Sequence, residues 1–152
     1  MTYDAFQTRV AHRLPGRHSF EPGLTDRELL LWEKSHPALT VPDDLLSVLR
    51  RSNGFRIRLN PDSPGGAALR LLPVREMDYA AREMYGGPDL QTDHVPMTWL
   101  NLTQEQDSTF YLVLDLETGK YLEVEPITPD EAEIVAEDAQ GMLDWFAGHL
   151  ED

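Results

Sequence analysis

Apolar residues recur along this chain in two rhythms. Phe6, Val10 and Leu14 share one side of a 3.6-residue repeat, which predicts an amphipathic helix over 4–13, ended by Pro15-Gly16. A loop is expected up to Gly23. Thr25-Asp26-Arg27-Glu28 is a capping box, in which a hydroxyl and a carboxylate satisfy each other's first-turn amides. The helix it opens should run to Ser35, burying Leu29, Trp32 and Leu30, and Pro37 stops it. Val41-Pro42-Asp43-Asp44 opens a further helix, with Leu45, Val48 and Leu49 at i, i+3, i+4. Asn53-Gly54 is expected to close it through a left-handed glycine.

From Phe55 the repeat shortens to two. Phe55, Ile57 and Leu59 alternate with Arg56 and Arg58, as in a half-buried strand. Asn60 to Gly66 has turn composition, Ala68 to Pro73 should be a strand, and Glu76 to Met84 a short helix with Met77, Ala80, Ala81 and Met84 on one face. An exposed loop over 86–96 follows, then a strand from Met97 to Leu102 and a polar connection from Thr103 to Ser108. Phe110 to Leu114 is the most apolar run and predicts a central strand. A turn at Glu117-Thr118-Gly119-Lys120 returns the chain as Tyr121 to Ile127. Thr128-Pro129-Asp130-Glu131 is another capping signature, and Ile134-Val135 suits either a helix or a short strand. The last element is an amphipathic helix over 138–150 carrying Met142, Leu143, Phe146 and Leu150. The order predicts a single α+β domain, an antiparallel β-sheet with helices packed against it, divided into an N-terminal helix and loop (1–23) and the main domain (24–152).

Charge changes this picture more than composition does. The net charge of −14 is unevenly placed: residues 1–75 hold 11 Lys and Arg against 8 Asp and Glu, and residues 76–152 hold 2 against 19. An acidic half repels nucleic-acid phosphates and anionic membrane, and it speeds encounter with basic proteins. The arginines at 50, 51, 56, 58 and 70 form a local basic patch without interleaved aromatics. With no cysteine, disulfides, thiolate metal sites and cysteine nucleophiles are excluded. No apolar run reaches membrane-spanning length and no signal-peptide core follows the N-terminus, so a soluble, cytoplasmic protein is expected.

Chemistry-bearing motifs are missing. His12, His18, His36, His94 and His149 show no metal-ligand spacing, no GxSxG elbow is present, and Gly65-Gly66 and Gly86-Gly87 are too short for phosphate loops. Asp115 to Gly119 lacks the ligand ladder of a calcium loop. Catalytic residues, cofactors and metals are therefore not expected. A site assembled only in three dimensions would need a groove holding a perturbed carboxylate or histidine. Trp32 and Trp145 read as core, while Trp99 suits either the core or a binding anchor.

Leu30-Leu31-Trp32-Glu33, then Val41-Pro42-Asp43-Asp44-Leu45 through Asn53-Gly54-Phe55, then Leu69 to Pro73 with Glu76, Tyr111 to Asp115 with Thr118-Gly119, and Met142 to Phe146 stand in an order that resembles the SUKH superfamily, the SMI/KNR-type domain. The resemblance covers about 24–150, with no clear match over 83–94. It implies an α+β fold without catalysis. Many bacterial members resemble immunity proteins, which bind and neutralise a toxin, and fungal relatives act as regulatory adaptors. The expected function is thus an immunity protein, monomeric or weakly dimeric, that blocks the active site of a cognate, basic, cytoplasm-acting toxin. The alternative is an adaptor with several protein partners. Tyr85, Asp89, Asp93, Trp99, Glu105 and Asp107 are the expected partner-binding residues.

Overall fold

The computed structural model describes residues 1–13, 18–58, 68–85, 95–105, 110–126 and 128–150. Among these residues, five α-helices and eight strands follow one another as α1 (Tyr3–His12), β1 (Ser19–Phe20), α2 (Asp26–Ser35), α3 (Asp43–Arg51), β2 (Phe55–Arg58), β3 (Ala68–Leu71), α4 (Ala80–Tyr85), β4 (Trp99–Asn101), β5 (Thr103–Glu105), β6 (Tyr111–Asp115), β7 (Tyr121–Val124), β8 (Glu133–Ala136) and α5 (Ala139–Gly148). The fold is α+β and its strand pairs are antiparallel. The strands divide into two four-stranded sheets, β1-β2-β3-β5 and β4-β6-β7-β8, where one sheet was expected.

The division happens at Leu102. β4 and β5 are separated by that one residue yet lie in different sheets. Its N–H donates to the Leu112 carbonyl at 2.9 Å, and its carbonyl accepts from Leu72 N–H at 2.8 Å. Thr103 Oγ1 accepts from Leu112 N–H at 2.9 Å, so each sheet is bonded to the other there. This corrects the polar connection expected over 103–108: Thr103–Glu105 is a strand, because pairing with β3 overrides its weak local preference.

Capping chemistry placed the helices well. The Thr25–Glu28 box forms in full. Asp138 caps α5 by accepting from Gly141 N–H at 2.7 Å. Asp44 Oδ2 accepts from Ala139 N–H at 2.7 Å and ties the start of α5 to the start of α3. Leu45, Val48 and Leu49 are buried, but Leu30 is exposed, and only Trp32 of α2 is fully covered.

Three expectations yield to tertiary contacts. Ser19 and Phe20, expected as loop, pair with Arg56 and Phe55, because the Phe20 ring packs edge-on against Tyr3 and Phe6. The helix expected from Glu76 is broken into a 3-10 turn (Val74–Glu76) and α4. Its Met77 carbonyl accepts from Trp32 Nε1–H at 2.9 Å and its Asp78 carbonyl from Asn101 N–H at 2.9 Å, so neither is left to continue a helix. Gly54 does not cap α3, which ends at an extended Ser52. Gly54 has φ +96°, and a Cβ there would stand 2.7 Å from the Leu71 carbonyl oxygen; close approach to β3 requires the glycine. Asn53 beside it accepts from the buried Val74 N–H at 2.9 Å and donates to Glu28 at 3.3 Å.

Most apolar side chains form one core, to which α1 contributes Phe6 and Val10 against α5. A second, smaller cluster joins Ala80, Ala81, Val95, Trp99, Val113, Leu122 and Val124 beneath α4. β6 therefore feeds both clusters from its two faces, which explains its continuous apolar run. Val95, expected in an exposed loop, is buried. Ile134 and Val135 belong to the edge strand β8.

Candidate functional site

Asp89, Asp93 and Asp107 lie outside the described residues, as do the turn expected at 60–66 and most of the loop over 86–96. Tyr85 ends α4, and Glu105 lies on β5 opposite Leu69. Trp99 opens β4 and is 8% exposed, packed in the second core, so it presents almost no surface to a partner.

Carboxylates gather elsewhere, at the end of the β7–β8 hairpin where the connecting segment joins its two strands. Glu123 and Glu133 stand directly opposite each other on the two strands. With Glu125, Glu131 and Thr128 they line a groove of about 170 Å³. No ion pair among the described residues reaches any of these four glutamates; the nearest lysine in sequence, Lys120, pairs with Glu137 at 3.7 Å. Like charges directly opposite on neighbouring strands are destabilising, so this rung carries an uncompensated cost. Ile134 adds a 57% exposed apolar side chain on the same edge strand. The acidic character of 123–133 is legible in the sequence. The rung itself depends on the β7–β8 register, which a bulge at Tyr121/Leu122 shifts.

A contrasting groove of about 530 Å³ lies on the outward face of the first sheet, lined by Ser19, Glu21, Arg56, Arg70 and Pro73 among others. Arg56 and Arg70 are opposite each other, another like-charge rung. Here compensation is built in: Glu76 grips Arg70 through two bonds of 3.0 and 2.7 Å. Arg50 pairs with Asp26 at 2.8 Å and Arg51 with Asp4 at 2.6 Å. The basic patch expected from the sequence is thus partly neutralised within the fold.

A further groove of about 410 Å³ is lined by Leu72, Arg75, Glu76, Glu83, Asn101, Thr103 and Tyr111. Glu83 is exposed overall, yet partial burial of its carboxyl raises its pKa, with Asp78 and Glu76 adding to the rise and Arg82 opposing it. Nothing in the sequence around Asn101 marked it, because its burial arises only when β4 meets the Met77–Asp78 break.

One buried hydroxyl also stands out. Tyr121 is 1% exposed and its Oη has no hydrogen-bond partner. Burial, with Asp44 and Asp138 nearby, pushes its pKa well above the ordinary tyrosine value. Among the described residues no group of His, Asp or Glu is arranged to hold a metal ion, and no helix is long and apolar enough to cross a membrane. No protein-family model matches the chain, and no curated protein matches its sequence.

Proposed function

We propose that this chain is a cytoplasmic immunity protein of the SUKH kind, which binds a basic toxin domain and blocks its active site with the acidic end of the second sheet. The observation that carries the reading is the Glu123–Glu133 rung, flanked by Glu125 and Glu131 and without a cation of its own. Its like-charge repulsion is relieved when a cationic surface docks. Enzymes that act on phosphates carry such surfaces, so an acidic wedge competes for the substrate's place. The groove itself is small, which suits a rim of charge contacts around one or two inserted basic side chains.

The experiment is capture of the C-terminally tagged protein from its native cell extract at moderate salt, with mass spectrometry of what is retained. The reading expects one tightly held basic partner that stops growth when expressed alone and is silenced by co-expression of this chain. Several loosely held, harmless partners would replace it with the adaptor reading.

A further inference from the structure

Asn101 carries a side-chain oxygen that the protein buries and leaves without a hydrogen-bond partner. It ends β4 and is 1% exposed. Its backbone N–H is satisfied by the Asp78 carbonyl at 2.9 Å, but its side-chain Oδ1 has no hydrogen-bond partner. Buried polar atoms without partners are rare and costly, and an unfilled site is one of the few reasons a fold retains one. Asn101 lines the groove of about 410 Å³ described above, a volume within the range of small-ligand sites.

The neighbours of Asn101 say what the groove lacks. The orphan atom is an acceptor, so the missing group must donate. Glu83 is a second acceptor in the lining, with no ion pair among the described residues; its surroundings hold two carboxylates, Asp78 and Glu76, against one cation, Arg82. Arg82 is already paired with Asp78 at 3.0 Å, and Glu76 is held by Arg70. Arg75, largely exposed at the rim, approaches Glu76 at 3.8 Å. Thr103 Oγ1 is engaged as the acceptor of Leu112 N–H at 2.9 Å. What is unmet is a positive group with several N–H donors.

We propose that this groove binds an organic cation, an ammonium or guanidinium head on an aliphatic stem, with Asn101 Oδ1 and the Glu83 carboxylate as its acceptors. Such a head comes either from a free amine or from an arginine or lysine side chain of another protein. The site is separate from the acidic rung. Tyr111, which lines it, and Leu112, which faces Glu123, are consecutive in β6 and so point to opposite faces. Failure of toxin docking would therefore leave this proposal standing, and the reverse holds too.

The test titrates ¹⁵N-labelled full-length protein with agmatine, with Nα-acetylarginine N-methylamide and with the neutral isostere Nα-acetylcitrulline N-methylamide, following the Asn101 side-chain amide. A saturable shift is expected with at least one of the two cations, and the tighter binder identifies the source as free amine or protein side chain. Binding should weaken at least about tenfold with the citrulline compound and in Glu83→Gln, as expected for losing one charge-assisted hydrogen bond. Glu83 is exposed and the variant should fold; an unchanged amide spectrum away from the groove checks this. No saturable shift with either cation, equal binding of the citrulline compound, or undiminished binding by Glu83→Gln would overturn the proposal.

Discussion

The two sheets each carry one rung of facing like charges, and they treat it oppositely. In the first sheet, Arg56 faces Arg70, and the fold answers with Glu76, whose carboxylate holds Arg70 in a two-bond fork. In the second sheet, Glu123 faces Glu133, and no described cation answers. The same repulsion is thus settled internally on one side and left open on the other. That difference separates a charge that serves the fold from a charge that is free to serve a partner. It also explains how a chain of net charge −14 presents a compensated basic face and a bare acidic one.

The largest effect is expected where the two sheets join. Thr103→Val keeps the shape but removes the acceptor for the buried Leu112 N–H, and should cost about 1–3 kcal/mol in denaturant unfolding. Faster hydrogen exchange at Leu112 would show that the junction has loosened. If stability is unchanged, the Leu102 backbone bonds and the core hold the sheets together without the Thr103 hydroxyl.

Tyr121→Phe comes next, two residues before Glu123 on β7. It removes a buried, unpartnered hydroxyl and should raise stability at neutral pH by about 1 kcal/mol. Its pH dependence has a definite sign. Above about pH 10 the unfolded chain loses its tyrosine proton while folded Tyr121, with its raised pKa, keeps it. The folded state then binds more protons, so stability falls with rising pH, by at most about 1.4 kcal/mol per unit for this group. Thermal unfolding from pH 9 to 11 should show a shallower decline in the variant. Tyr3, whose pKa burial also raises, preserves part of the slope.

Smaller effects bear on the rungs directly. Glu76→Gln removes the two-bond fork that Arg70 makes with the Glu76 carboxylate; at this half-exposed pair a loss of about 0.5–1 kcal/mol is expected. Glu123→Lys turns repulsion into attraction across β7–β8 and should stabilise the isolated protein by about 0.2–1 kcal/mol, less at high salt. A stabilised protein that binds its partner worse is the signature of a charge kept for docking.

How much of this was legible depended on the range of the interactions. Thr25–Glu28, Asp138 and the Leu45–Val48–Leu49 stripe are local signals, and helices stand where they pointed. β6 announced itself because burial on both faces leaves a continuous apolar run. β1 and β5 were missed because two or three polar-leaning residues become strands only when β2 and β3 supply partners. Gly54 was expected as a helix cap, yet it is needed by the close passage of β3, a contact 17 residues away in sequence. The acidic half was evident from residue counts, but the facing of Glu123 and Glu133 required the register of two strands. Asn101 was invisible for a stronger reason: an unsatisfied bond is a property of the packed neighbourhood, not of the residue.

The most direct test of the docking account is the affinity of the captured partner for the wild type and for the Glu123→Lys/Glu133→Lys double variant, measured by calorimetry at low and at physiological salt. The account predicts that the double variant binds at least about tenfold more weakly at low salt and loses most of its salt dependence, while remaining as stable as the wild type. Equal affinity and an equal salt slope in both proteins would contradict it and move the interface away from the β7–β8 hairpin.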